Sequence, residues 1–117
     1  MEYNKKNFFE PIRDALLRTQ DLMNVYQRDH FPQRSPEFFA LELCGEVGEI
    51  ANLEKKLWKG RAEEVSDEAL AEEAADAFIA LLNYVNARNI DLADAVYEKL
   101  LKIEKKRLEL AAQGKTY

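Results

Sequence analysis

The chain predicts an all-α fold, most simply a four-helix antiparallel bundle, on three observations. Apolar residues recur at helical spacing along four long segments, start and stop residues bound those segments, and no stretch alternates apolar and polar as a strand would. Phe9, Ile12, Leu16, Met23 and Tyr26 place an amphipathic helix over about Phe8 to Arg28, which the turn-rich stretch DHFPQRSP ends. Ser35 and Pro36 open the second helix. A serine oxygen accepts the free amides of a first turn, and proline at the first helical position gives up no hydrogen bond. That helix should run to about Lys59, with Gly60 as its stop.

The polar connector RAEEVSDE leads to a third helix, capped by Ser66 and running to about Arg88. Asp91 caps the last helix, where Leu92, Val96, Leu100, Ile103 and Leu110 form one apolar stripe and Tyr97, Leu101 and Leu108 a second. Two stripes suit a crowded core or a core plus a neighbouring subunit, and a homo-oligomer, dimer or tetramer, is the expectation.

At 117 residues and 47% hydrophobic, the chain reads as one domain, residues 1–117, able to bury roughly two-thirds of its unfolded surface. The formal charge of −5 argues against a nucleic-acid partner, while free nucleotides carrying cations remain compatible with it. A single cysteine, Cys44, forms no internal disulfide, and MEYNKKNFFE has no signal-like apolar run, so a reducing cytoplasm is expected. No apolar run approaches the length that spans a bilayer, and no membrane association is expected.

The segment LELCGEVGE raises the chemical question. At about 100° per residue, Glu42, Glu46 and Glu49 fall within roughly 60° of one another, immediately beside the apolar face of Phe39, Leu43, Ile50, Leu53 and Leu57. On the third helix, Asp76 is the only charged residue in AADAFIALLNYV, a segment apolar on nearly every side and expected to be largely buried, with Glu73 one turn before it. Two acidic helices brought together repel unless something positive lies between them, and a divalent cation is the economical answer. Oxygen-only donors favour Mg²⁺ or Mn²⁺. The one histidine, His30, is expected in the loop after the first helix, and the Glu-x-x-His pairs of di-iron bundles are missing. Gly45 and Gly48 weaken the second helix beside the acidic stripe, which suits either close helix packing or the approach of a ligand.

Glu46-Val-Gly-Glu49 followed by Glu73-Ala-Ala-Asp76 resembles the ExxE and ExxD signature of the MazG-like, all-α nucleoside triphosphate pyrophosphohydrolases. The stretches LCGEVGEIANLEKK, LAEEAADAFIALLNYV and NIDLADAVYEKLLKIEKKR look like that family's core and closing helices, and the resemblance covers about Phe38 to Arg107. It implies that Glu46, Glu49, Glu73 and Asp76 bind Mg²⁺ and that a nucleoside triphosphate is cut between its α and β phosphates. Carboxylate-held Mg²⁺ suits that chemistry, and Glu49 is the residue read as taking the proton of the attacking water.

Lys56, two turns after Glu49, and Lys99 on the last helix are the expected phosphate contacts, as relatives commonly carry lysines there. Asn52 and Asn83 extend the two acidic faces toward sugar or phosphate, and Trp58 either stacks on a base or packs in a core or interface. One position departs from the family pattern: many relatives have an asparagine shortly after the closing-helix lysine, and this chain has Leu101. The alternative to an enzyme is a non-catalytic helical module that binds nucleotide or oligomerises.

Overall fold

Three of the four long helices open on side-chain caps that the sequence supplies. Ser35 Oγ accepts from the Phe38 N–H at 3.3 Å, Ser66 Oγ from the Ala69 N–H at 3.1 Å and Asp91 Oδ1 from the Asp94 N–H at 3.0 Å. The computed structural model describes all of Met1–Tyr117. Its long helices are α1 (Glu10–His30), α2 (Pro36–Trp58), α3 (Asp67–Ala87) and α4 (Leu92–Ala112), with no strand. The all-α class expected from the sequence is the class observed. Gly60, at φ 77°, follows the last turn of α2, and Asn89, at φ 58°, follows that of α3, each taking the left-handed conformation that ends a helix. The polar connector between α2 and α3 holds one short 3₁₀ turn, Ala62–Glu64.

The start of the chain differs from the expectation of a helix beginning near Phe8. A short helical segment, Glu2–Asn4, leads into a π-helical turn, Lys5–Phe9, that runs on into α1. Pro11 lies just beyond this turn and has no amide to give the carbonyl four residues back, so the ladder widens ahead of it.

The helices group into two compact units, with the boundary inside α1. The first comprises Met1–Leu22 and Asp91–Tyr117. Its buried residues are Phe9, Gln20, Ala93, Tyr97 and Glu104, and α4 packs on the π-helical turn. Gln20 Oε1 accepts from the Leu92 N–H at 3.0 Å, which satisfies one free amide at the start of α4. The Arg13 guanidinium lies 4.4 Å from the Tyr97 ring centroid, and Glu104 accepts from Asn4 Nδ2 at 2.8 Å and from Arg107 Nε at 3.0 Å.

The second unit, Met23–Ile90, contains the hairpin of α2 and α3. Phe39, Ala80, Leu82 and Val85 are its buried apolar residues, and Arg88 Nη2, just past the end of α3, reaches Glu37 Oε1 at the start of α2 at 3.3 Å. That pair places the start of one helix beside the end of the other. The segment AADAFIALLNYV, expected to be largely buried, is buried only at Ala80, Leu82, Asn83 and Val85. Asp76, Phe78 and Ile79 are exposed, because α2 covers only the side of α3 that carries Glu73, Ala77 and Ala80. No helix is long and apolar enough to cross a membrane.

Candidate metal centre

Glu46 and Glu49 are three residues apart on α2, so both carboxylates leave one side of that helix, and the hairpin sets Glu73 of α3 opposite them. One carboxylate oxygen from each of the three lies within 4.8 Å of the other two. Glu46 and Glu73 are half-buried and Glu49 is exposed. Glu46 Oε2 and Glu73 Oε2 are each closed off from solvent with no hydrogen-bond partner. Such a pair is unusual, since buried polar atoms normally find a donor. No lysine or arginine supplies one: the ion pairs of this chain are Arg13 with Asp14, Arg28 with Asp29, Arg61 with Glu64, Arg88 with Glu37 and Arg107 with Glu104.

Crowding three acids together changes their titration. The Glu73 carboxyl is pushed up to about 7, first by the proton it can share with Glu49, then by burial, then by the hydrogen bond open to Glu46 and by the negative charge of both neighbours. Near neutral pH a proton held on Glu73, or a cation between the three carboxylates, would relieve that repulsion. Convergent carboxylate oxygens without nitrogen or sulfur donors fit Mg²⁺ or Mn²⁺.

The other residues expected at the site fall in different places. Asp76, one turn beyond Glu73, is exposed and lies outside the group of three converging oxygens. Asn52 is exposed on α2, Lys56 is half-buried on the same helix, and Trp58 is 88% exposed at its end. Lys99 is exposed on α4, in the first unit. A β-carbon built on Gly45 or Gly48 meets nothing within 4 Å, so no neighbouring helix of this chain approaches either glycine and the space beside the acidic stripe is open.

Asn83 is buried and lines a cavity of about 680 Å³ with Asn24, Gln27 and Phe39. The sequence reading missed Asn24 and Gln27. Their signal is a carboxamide pair three residues apart on α1, matched by Asn83 and Asn86 three apart on α3. Comparison of the chain with models of known protein families, with curated proteins and with solved structures gives no match.

Proposed function

We propose that this protein is a Mg²⁺-dependent, cytoplasmic nucleoside triphosphate pyrophosphohydrolase of the MazG-like kind, releasing nucleoside monophosphate and pyrophosphate. The observation that carries the reading is the pair of buried, partnerless oxygens on Glu46 and Glu73, with Glu49 completing the cluster. When bound, Mg²⁺ neutralises phosphate charge and lowers the pKa of a water molecule. Glu46 and Glu73 are the residues whose oxygens would hold the ion. Glu49, the exposed member, takes the proton of the attacking water on its carboxylate. Lys56, two turns beyond Glu49, offers a positive charge to phosphate oxygens, and the open space at Gly45 and Gly48 lets a polar ligand come close to α2.

Assembly as a homodimer or homotetramer belongs to the same reading, supported by large apolar residues left exposed on α2 and α3, among them Leu41, Val47, Phe78 and Ile79. A second reading, a helical module that binds nucleotide without cutting it, draws on the position of Asp76 outside the three-oxygen cluster. Purified protein incubated with ribo- and deoxyribonucleoside triphosphates and Mg²⁺ should release pyrophosphate, with none formed in the presence of a chelator. Glu73→Gln should bring the rate to the limit of detection. Failure to cut any triphosphate, with Mg²⁺ and nucleotide still bound, would favour the second reading.

A further inference from the structure

The cavity of about 680 Å³ lies wholly within the second unit, where the end of α1, the start of α2 and the end of α3 line it. Five carboxamides, Asn24, Gln27, Gln33, Asn83 and Asn86, share its wall with Phe39, and no carboxylate does. Asn83 is only 7% exposed. Its Nδ2 donates to Gln27 Oε1 at 3.4 Å, a long bond, and its Oδ1 is buried with no donor. Two guanidiniums lie at the rim: Arg28 pairs with Asp29 at 3.1 Å, and Arg34 lies over the Phe38 ring at 4.9 Å. With five carboxamides in the wall and no acid to receive a cation, the pocket suits a ligand that has both donors and acceptors on a planar edge. Carboxamides read such edges on nucleobases, and a phenyl ring packs against their faces.

We propose that this cavity is a nucleobase pocket, in which Asn83 Oδ1 accepts a hydrogen bond from an N–H on the edge of the base. The identification of that base as part of a triphosphate substrate rests on the function proposed above; the chemistry of the pocket does not. Phe39 and Glu46 are seven residues apart on one face of α2, so the pocket lies about 10 Å along the helix from the carboxylates, a length that a sugar and its phosphates can bridge.

The test uses nucleosides, which carry no phosphate, with the full chain in a metal-free buffer. Titration of adenosine, cytidine, guanosine and uridine, followed by NMR, should show at least one binding saturably, with shifts centred on the side-chain amides of Asn83 and Gln27 and on Phe39. Asn83→Ala should weaken that binding about tenfold, the scale of one hydrogen bond lost at a buried side chain. Should that variant not fold, Asn24→Ala, on the exposed rim, provides the same reading with a smaller loss. No nucleoside binding, shifts centred elsewhere, or affinity unchanged in every folded variant would overturn the pocket, even if triphosphates are hydrolysed. Nucleoside binding without hydrolysis would leave the pocket standing and overturn the enzyme.

Discussion

Glu73 and Glu104 are both glutamates sunk among helices, and their surroundings push them in opposite directions. Arg107, with Asn4 beside it, holds the Glu104 carboxyl down to about 2, whereas Glu49, burial and Glu46 raise Glu73 to about 7. The ordinary glutamate value is 4.5, which fixes the sign of each contribution to stability. Between 4.5 and about 7 the folded chain binds more protons at Glu73 than the unfolded chain does, so this residue favours folding at low pH, and that benefit is lost as pH rises through the window. Between about 2 and 4.5 the unfolded chain binds more protons at Glu104, so its contribution is full above 4.5 and is lost as pH falls toward 2. In a chelator, Glu73→Gln should therefore raise the urea midpoint relative to the parent more at about pH 8 than at about pH 5. Glu104→Gln should lower the midpoint at neutral pH and converge on the parent in acid. Equal effects of Glu73→Gln at both pH values would mean that the three carboxylates do not meet in solution. Added Mg²⁺, on the proposed function, should stabilise the parent above about pH 7 and do little for the Glu73 variant.

On the scale of elements, α2 combines a weakened backbone with an open flank. Glycine in a helix interior is about 0.5 to 1 kcal/mol less favourable than alanine, and neither Gly45 nor Gly48 has a neighbour within 4 Å of a built β-carbon. Gly45→Ala and Gly48→Ala should each stabilise the chain by about that amount in thermal unfolding, while raising KM for a triphosphate if the open flank admits ligand. A loss of stability in both would mean that something closes on this side of α2 in solution. The same helix shows what a sequence can reveal. Ser35, Ser66 and Asp91 were legible as caps, and Gly60 as a stop, because each acts within one turn of itself. Of the four acids expected to converge, Glu46, Glu49 and Glu73 meet and Asp76 does not: spacing fixes the face of a helix, which made the first three legible. The exposure of Asp76, Phe78 and Ile79 was not, since an all-apolar segment does not say which of its sides a partner helix will cover. Nor was the cavity around Asn83, whose walls come from three segments distant in sequence. The π-helical turn ahead of Pro11 was hidden because proline also opens ordinary helices.

For the molecule as a whole, exposed area is the quantity that decides whether one chain is sufficient. Leu82 is the one large side chain almost completely enclosed, while Leu41 is 75% exposed and Phe78 and Ile79 remain uncovered on α3. On the homo-oligomer proposed above, a second copy of this chain would cover these side chains at an apolar face. Sedimentation velocity should therefore give a mass that is a multiple of 13.6 kDa. Leu41→Glu is the discriminating substitution. In a monomer, an exposed position on a helix tolerates glutamate within about 0.5 kcal/mol, so stability and mass would be those of the parent. In an oligomer the same change sets a charge against an apolar partner surface, which should shift the protein toward the single-chain mass and make its thermal midpoint fall with dilution. A parent protein that sediments as a single chain at every concentration would show that the uncovered leucine, phenylalanine and isoleucine are ordinary surface and that no second copy is needed.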